Sequence, residues 1–337
     1  MKRAAASPRA APTAPPPDAE QMLRRLEWSA LRRLDGVLMG GCRTLLRGAG
    51  LDLADVREYQ LHDDVRHIDW NVTARLQTPH VRVFAEDRDM AAWFLLDLSP
   101  SVDFGSGARR KRQALTEFVA VLARLLTRRG NRVGALLYGN GVEQVIPARA
   151  SRRHVLHLLH AIGRQAENAL AGPQVTRLAD LLQAAANAIR RRSTVFVVSD
   201  FISEPGWNQP LAQLAARHDV VAARLLDPLE LELPDLGLVT LRDAESGQDL
   251  LVDTHDPGFR QRFAALAAGR EAELRAALAR AGVDALELST GDDVVSAIVR
   301  FVDLRRQRAR LAAGASPSMA AFHEGRKNQQ AARVMTV

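Results

Sequence analysis

The residues whose types and spacing carry the clearest chemistry form the run Asp97-Leu98-Ser99-Pro100-Ser101. Alternate residues of an extended segment point the same way, so the side-chain oxygens of Asp97, Ser99 and Ser101 are expected to converge on one point. Carboxylate and hydroxyl oxygens are the ligands that hard divalent cations prefer. The run therefore predicts a cation site. The alternative interpretation is that one of the two serines only caps the helix that follows.

Two further oxygen-bearing residues are expected at the same edge of the fold. The strand predicted over Thr194–Ser199 ends in Asp200, and Thr176 lies just before a helix predicted to begin near Leu178. In an open α/β sheet, ligands bind outside the carboxyl ends of the strands, where Asp97 also lies. The position of Asp200 strengthens the prediction of a site, whereas capping of the helix explains Thr176 nearly as well.

The elements that must position these residues follow from the hydrophobic periodicity. A continuous apolar run is typical of a buried parallel strand, and the amphipathic segment 109–128 predicts a long helix. Glycines at 139 and 141 around an asparagine indicate a hairpin turn. The strands predicted in this region are 93–98, 132–138, 142–146, 194–199 and 219–225. Their alternation with helices predicts an α/β fold with a doubly wound, mostly parallel, Rossmann-like sheet.

The sequence pattern divides the chain into five segments. Residues 1–19 are proline-rich and are predicted to form a disordered arm, and residues 20–88 hold a predicted helix over 20–47 followed by an extended region. The α/β domain is predicted over 89–227. A small C-terminal α+β extension over 228–311 and a disordered tail over 312–337 complete the predicted organisation.

The net charge of +7 at pH 7 raises the question of nucleic-acid binding. Residues 1–33 carry seven basic and three acidic residues, residues 303–337 carry seven and two, and the residues between them have a small net negative charge. Only 5% of the residues are aromatic, and no helix-turn-helix, zinc-finger or RRM signature occurs. We therefore expect no nucleic-acid partner and interpret the basic ends as solvated tails.

Cysteine usage and hydropathy bear on the compartment. Cys42 is the single cysteine, so no intrachain disulfide can form. No run reaches the roughly 18 apolar residues that a membrane-spanning helix needs, and the proline-rich start does not resemble a signal peptide. We expect a cytoplasmic protein with no membrane insertion.

A second group of residues with chemical potential lies between residues 57 and 75. His62, Asp63, His67 and Asp69 could ligate the metal of a phosphohydrolase. The other interpretation is a structural clasp in which Trp70 packs beneath ion pairs between aspartates and arginines. The clasp residues are Asp63, Asp64 and Asp69 with Arg57, Arg66 and Arg75. Because the histidines of the segment 154–160 fall along one predicted helix, we favour the clasp and predict no catalysis.

The residues described above resemble a known family in two places. Asp97, Ser99, Ser101, Thr176 and Asp200 resemble the metal-ion-dependent adhesion site of von Willebrand factor type A (vWA) domains. Residues 45–205 resemble the bacterial family called domain of unknown function fifty-eight. The matching motifs are Gly48-Ala49-Gly50-Leu51-Asp52-Leu53, Arg57-Glu58-Tyr59, Asp63-Asp64-Val65-Arg66-His67-Ile68-Asp69-Trp70, Ala74-Arg75 and Ser101-Val102-Asp103-Phe104-Gly105. The chain departs from the family at His62, Asp52-Leu53 and Val102, and from vWA domains at Pro173-Gln174-Val175, where they usually have glycines.

This resemblance implies a vWA-like domain over 89–227 that holds Mg²⁺, or Mn²⁺, with hydroxyls and a carboxylate, and with Asp200 acting through water. Neutral hydroxyl ligands leave the ion incompletely neutralised, so one position can accept a carboxylate from a partner. The resemblance further implies that the protein works with a MoxR-type AAA+ ATPase in assembling or activating a client protein. Family members often begin with membrane helices, and the lack of one here indicates a soluble version. We predict a non-enzymatic adaptor or co-chaperone, with the phosphohydrolase as the alternative.

Overall fold

The computed structural model describes residues 20, 21, 23, 24, 53–60, 63, 65, 68–84, 91–168, 175–242 and 247–314. The chain divides into two compact units, of which one comprises residues 1–33 and 89–294 and the other residues 34–88 and 295–337. Most of the helix predicted over 20–47, all of the predicted arm and most of the predicted tail lie outside the described residues.

The second unit contains an antiparallel strand pair and a short helix. Its elements are strand β1 (Leu53–Glu58), helix α1 (Trp70–Leu76) and strand β2 (His80–Phe84), with β1 paired to β2. Helix α1 begins after Asp69, whose carboxylate accepts the backbone N–H groups of Asn71 and Val72. It ends at Gln77, which adopts a left-handed conformation with φ of 59°. Local capping therefore fixes both ends of this helix.

The first unit is built on a six-stranded sheet. The remaining strands are β3 (Ala91–Asp97), β4 (Arg132–Tyr138), β5 (Val142–Arg149), β6 (Thr194–Ser199), β7 (Asp219–Leu226), β8 (Leu238–Arg242), β9 (Asp249–Asp253) and β10 (Asp284–Ser289). Strands β8 and β9 form a separate antiparallel pair, and the others have the order β10-β7-β6-β3-β4-β5. All neighbours in this sheet are parallel except β4 and β5. The predicted α/β fold with a doubly wound, mostly parallel sheet is confirmed.

Helices cover both faces of this sheet. These helices are α2 (Lys111–Arg128), α3 (Arg152–Asn168), α4 (Leu178–Ala188), α5 (Asn208–Arg217) and α6 (Pro257–Arg280). Helix α7 (Val294–Gly314) belongs, except for its first residue, to the second unit. Helices α4, α5 and the end of α6 bury Leu182, Leu211 and Leu278 against one face, together with Leu95 of β3. Among the described residues, no helix combines the length and the apolar character needed to cross a bilayer.

An aromatic cluster forms the core on the opposite face. The rings of Phe94 in β3 and Phe196 in β6 are stacked with 5.3 Å between their centroids, and Phe118 of α2 packs edge-on against both. Phe94 and Leu95 are consecutive, so strand geometry sends them to opposite faces of the sheet. Continuous apolar runs such as β3 are thus explained by burial on both faces.

The edge strand β10 comes from the segment that the sequence pattern assigned to a C-terminal extension. It pairs in parallel with β7, with Asp284 beside Val221 and Ser289 beside Leu226. The chain reaches this position through the β8–β9 hairpin and α6. The sheet therefore includes a strand from beyond residue 227, because α6 returns the chain to the edge of the sheet.

Candidate metal centre

The proposed ligands lie where the order of the strands reverses. From β3 the chain passes through α2 to β4 and β5 on one side, and it later returns to β6 on the other side of β3. Asp97 is the last residue of β3, and Asp200 follows the last residue of β6. In doubly wound sheets, a crevice opens at such a point beyond the carboxyl ends of the strands. The fold thus places both aspartates where α/β proteins bind ligands.

The carboxylate of Asp97 is buried and accepts two hydrogen bonds. Its Oδ1 accepts the backbone N–H of Ser99, with 3.0 Å between N and O, and its Oδ2 accepts the hydroxyl of Ser199, with 2.7 Å between the oxygens. The hydroxyl oxygens of Ser99 and Ser101 lie 3.1 Å apart, and both residues are buried. The structure therefore brings the three residues of this loop together, and each Asp97 oxygen keeps further acceptor capacity.

Helix capping does not explain these hydroxyl groups. Ser99 precedes a 3-10 turn, Pro100–Asp103, but its side chain makes no capping hydrogen bond. Helix α2 has Arg110 at its N-cap, and α4 has Arg177, so Thr176 lies one residue too early. The capping interpretations of the serines and of Thr176 are therefore wrong.

The environment of Asp97 disfavours its charged form. Burial raises the pKa of Asp97 to about 6, with the nearby charge of Asp200 as the second cause, while hydrogen bonds from Ser199 and Ser99 act in the opposite direction. Two carboxylates that interact in a buried site need a cation to be stable in the ionised form.

Asp200 already has a cationic partner within the protein. Its Oδ2 lies 2.7 Å from Nζ of Lys111, and its Oδ1 accepts the backbone N–H of Ile202, with 3.0 Å between N and O. Lys111 is 1% exposed and also places Nζ 2.5 Å from Oε1 of Glu230. The ammonium group therefore lies between two carboxylates, one of which belongs to the candidate metal centre.

Thr176 lies in the segment that leads into α4. Its carbonyl oxygen accepts the hydroxyl of Ser203, with 3.0 Å between the oxygens, which links it to the loop after Asp200. The next residue, Arg177, donates its backbone N–H to the hydroxyl of Tyr138 at 2.9 Å, at the carboxyl end of β4. These contacts place Thr176 at the same edge of the sheet as the other proposed ligands.

The set of donors fits a hard divalent cation. The atoms available are carboxylate and hydroxyl oxygens, in a buried loop with an Asp97 carboxylate that lacks a cationic partner of its own among the contacts described above. Mg²⁺ and Mn²⁺ favour such oxygen ligands. In the part of the chain that the structure describes, no three His, Cys, Asp or Glu side chains come together as a site of the zinc type would require.

Three exposed apolar side chains lie within three residues in sequence of the proposed ligands. They are Phe104, Val175 and Ile202, which are 40%, 57% and 45% exposed. The ring centroid of Phe104 lies 5.8 Å from Nζ of Lys111, Val175 precedes Thr176, and Ile202 follows the second aspartate by two residues. We call these three residues the apolar collar.

The structure describes only part of the second cluster of charged residues. Asp63 forms a two-bond ion pair with Arg57, with N–O distances of 2.8 and 2.6 Å, and Asp69 caps α1. These contacts are structural, as in a clasp. Trp70 is 70% exposed at the start of a helix without buried residues, so the prediction that it packs beneath the cluster is wrong; Arg75 is exposed too. His62, Asp64, Arg66 and His67 lie outside the described residues.

Three polar residues that contact the aspartates or their partner were not predicted from the sequence. Ser199 could have been found, because it ends the same strand that precedes Asp200. Lys111 had a compositional signal, since only three of the 46 basic residues are lysines and it is the only lysine between residues 3 and 326. Glu230 had no local signal, because it comes from the turn after β7.

Known proteins match most of this chain. The model of the family described as "Protein of unknown function DUF58" matches residues 55–273. An uncharacterized protein of Mycobacterium tuberculosis (strain ATCC 25618 / H37Rv) is 39% identical over 287 residues, which cover 85% of this chain and 90% of that protein. An uncharacterized protein of Mycobacterium avium is 36% identical over 168 residues, which cover 49% of this chain and 95% of that protein.

Solved structures also match, at low sequence identity. BatB from Bacteroides thetaiotaomicron gives a TM-score of 0.40 at 14% identity, with 65% of this chain and 99% of that chain covered. The SpRpn10 VWA domain gives a TM-score of 0.37 at 14% identity, with 63% and 94% covered. The span of the family model and the identity to the mycobacterial relatives confirm the family that the motifs indicated. The chain belongs to the DUF58 family of proteins of unknown function.

Proposed function

We propose that this protein is a non-enzymatic, Mg²⁺-dependent adaptor that binds a protein partner at the candidate metal centre. The observation that carries the proposal is a buried set of oxygen ligands on the same chain segments as the exposed apolar collar of Phe104, Val175 and Ile202. A small polar substrate would gain little from exposed apolar side chains, whereas a protein surface can bury them. The collar therefore favours a macromolecular partner.

The contacts suggest a division of roles among the ligands. In this proposal, Asp97 and the hydroxyls of Ser99, Ser101 and Thr176 hold Mg²⁺ or Mn²⁺. Asp200 acts through water, because its two oxygens are engaged by Lys111 and by a backbone N–H. When bound, the ion supplies an attachment point for an anionic group, since hydroxyl ligands do not neutralise its charge. A partner carboxylate then completes the coordination.

The family resemblance suggests which partner this is. We propose that the adaptor works in the cytoplasm with a MoxR-type AAA+ ATPase, and that the pair assists the assembly or activation of a client protein in the manner of a chaperone. Membership of the DUF58 family supports this proposal. The partner's contact residue would be an acidic side chain flanked by apolar ones, because exposed apolar residues neighbour the proposed ligands in sequence.

Metal binding is tested by thermal unfolding of the wild type and of Asp97→Ala during titration with Mg²⁺ and Mn²⁺. Ion at about 100 times its dissociation constant should add roughly 2.7 kcal/mol to the free energy of unfolding, which raises the melting temperature by several degrees. The matched control is Asp249→Ala, which removes an exposed carboxylate far from the loop in sequence and should keep the shift. No shift in the wild type would contradict an occupied site.

Partner binding is tested by capture of a co-expressed MoxR-type ATPase on the immobilised full chain. We expect capture with Mg²⁺ and loss of capture with a chelator. Phe104→Ser and Ile202→Ser should keep the thermal shift but weaken capture, because they change exposed side chains rather than ligands. The proposal would be contradicted if capture persisted in chelator and was also unchanged in the collar variants.

The phosphohydrolase alternative uses His62, Asp63, His67 and Asp69. The ion pair of Asp63 with Arg57 and the capping role of Asp69 both argue against it. A phosphatase assay with Mn²⁺ separates the two proposals. Turnover that is abolished by His62→Ala but not by Asp97→Ala would support the enzyme.

A further inference from the structure

The ammonium group of Lys111 is held inside the protein by two carboxylates. Its Nζ lies 2.7 Å from Oδ2 of Asp200 and 2.5 Å from Oε1 of Glu230, and the side chain is almost inaccessible. Lys111 therefore remains a cation in the folded protein.

The backbone at Lys111 is fixed, so the side chain has a defined origin. Lys111 is the first residue of α2, and its backbone N–H donates to the carbonyl of Phe104, with 2.9 Å between N and O. The next residue, Arg112, binds Asp103 and the carbonyl of Leu98, 3.0 Å from its Nη2. These contacts attach the start of α2 to the loop that carries the proposed ligands.

The residue type at position 111 is unusual for this chain in two respects. The first turn of a helix disfavours a positive side chain, because the helix dipole is positive there. The chain also uses arginine for nearly all its basic positions, and Lys111 is the only lysine between residues 3 and 326. A lysine at this position fits a requirement for a compact ammonium, which a planar guanidinium cannot replace. The tertiary partners, rather than local preference, explain the residue.

The charges in contact with the Lys111 ammonium indicate its effect on the candidate metal centre. Asp200 and Glu230 are two carboxylates on one ammonium, which leaves one net negative charge when both are ionised. The ammonium therefore offsets much of the negative charge that Asp200 would otherwise contribute beside Asp97. Without Lys111 the same cluster would have one more negative charge, which would attract the ion more strongly and would destabilise the empty site.

We infer that Lys111 is a resident cation of the candidate metal centre. It neutralises Asp200 while the centre is empty, and it weakens the binding of a divalent ion so that the ion exchanges readily. Glu230 has the opposite effect, because it shares the ammonium with Asp200 and so adds negative charge to the cluster. The effect on ion binding rests on the proposed function, whereas the effect on the empty site does not.

The experiment compares Lys111→Met and Glu230→Gln in the full chain. Mn²⁺ affinity is measured by electron paramagnetic resonance and by calorimetry, and the melting temperature is measured in chelator. Lys111→Met should bind Mn²⁺ about tenfold more tightly and melt about 10 °C lower when empty, with added Mn²⁺ restoring much of the loss. Glu230→Gln should bind Mn²⁺ more weakly by about threefold or more.

The matched control is Arg242→Met, which removes one positive charge from an exposed ion pair with Asp249 and should change neither quantity. Equal or weaker Mn²⁺ binding by Lys111→Met, or tighter binding by Glu230→Gln, would overturn the inference. If Lys111→Met does not fold, the direction of the Glu230→Gln effect decides. If the wild type binds no Mn²⁺, the proposed metal site fails, and the melting temperatures in chelator alone decide whether Lys111 supports the empty site.

Discussion

At the scale of a single residue, the ionised carboxylate of Asp97 lowers the stability of the ion-free protein, although the proposed ion needs it as a ligand. It is fully buried beside Asp200, and these two causes, in that order, raise its pKa from 3.8 to about 6. The folded apo protein therefore binds more protons at this group than the unfolded chain between about pH 4 and pH 6. The contribution of Asp97 to the free energy of unfolding must fall as the pH rises through this range.

Asp97→Asn is expected to stabilise the apo protein at pH 7.5. The substitution removes the cost of a buried ionised carboxyl, about 3 kcal/mol for a pKa shift of this size. The amide oxygen can still accept the N–H of Ser99, and the amide group can donate to the hydroxyl of Ser199. Urea unfolding in chelator measures the difference in unfolding free energy between the variant and the wild type, which should shrink towards zero near pH 4. The variant should also lose Mn²⁺ binding.

Asp249→Asn is the control for this prediction, because its carboxylate is exposed and paired with Arg242. Its stability relative to the wild type should change by less than about 0.5 kcal/mol at pH 7.5. A less stable Asp97→Asn protein at pH 7.5 would show that the hydrogen bonds of the carboxylate outweigh its burial.

At the scale of the elements, the pairing of β3 with β4 depends on a glycine opposite a tryptophan. Trp93 and Gly134 are partners in the parallel register. A Cβ atom on Gly134 would lie 2.8 Å from Cε3 and Cζ3 of Trp93 and 3.0 Å from the carbonyl oxygen of Ile146 in β5. The glycine therefore lets the indole ring lie across the strand.

Gly134→Ala should lower the free energy of unfolding by about 1–3 kcal/mol, because the added methyl group overlaps the indole ring. The double variant Trp93→Leu/Gly134→Ala should lose less than the sum of the two single losses, since the smaller side chain leaves room for the methyl group. Denaturant unfolding of the four proteins measures this coupling. Additive losses would mean that the backbone contact with Ile146, rather than the ring, limits the space.

A second buried carboxylate, Asp227, connects three segments of the chain beside Glu230. Asp227 follows β7 and accepts the hydroxyl and the backbone N–H of Ser106, the hydroxyl of Thr290 after β10, and the backbone N–H of Leu229. Its backbone N–H donates to Oε2 of Glu230, with 3.1 Å between N and O. Although burial alone would raise the pKa of Asp227, these hydrogen bonds lower it below the usual value.

Asp227→Ala should cost about 4 kcal/mol of unfolding free energy at pH 7, because it leaves several buried donors without an acceptor. Hydrogen exchange of residues 104–107 should also become faster. Because the folded-state pKa is depressed, the stabilising contribution of Asp227 is present above the unfolded pKa and is lost as the pH falls below about 4. The difference between wild type and variant should therefore shrink in acid, and a difference independent of pH would contradict the role of the ionised carboxylate.

At the scale of the whole molecule, the sequence predicts elements that depend on local patterns. The apolar runs of β3 and β6 and the glycines of the β4–β5 turn predicted the sheet, and the aspartates at the ends of those strands predicted the edge at which the candidate site lies. The place of β10 and the ion pair of Lys111 with Asp200 could not be predicted in the same way. They depend on how α6 and α2 pack in the tertiary structure, and no local sequence pattern predicts that packing.

The whole chain also allows a test of the class of partner, because its positive charge is concentrated at the ends. Residues 1–19 and 315–337 together carry six basic and two acidic residues. We expect the full chain to bind duplex DNA only at salt of about 50 mM or below, because contacts with phosphate weaken steeply as salt is added. A chain trimmed to residues 20–314 should bind DNA weakly at any salt concentration. Fluorescence anisotropy with a labelled duplex measures both, and capture of the ATPase should survive the trimming because the collar and ligands remain. DNA binding by the trimmed chain at about 150 mM salt would instead place a nucleic-acid site on the folded units and would contradict the prediction of a protein partner alone.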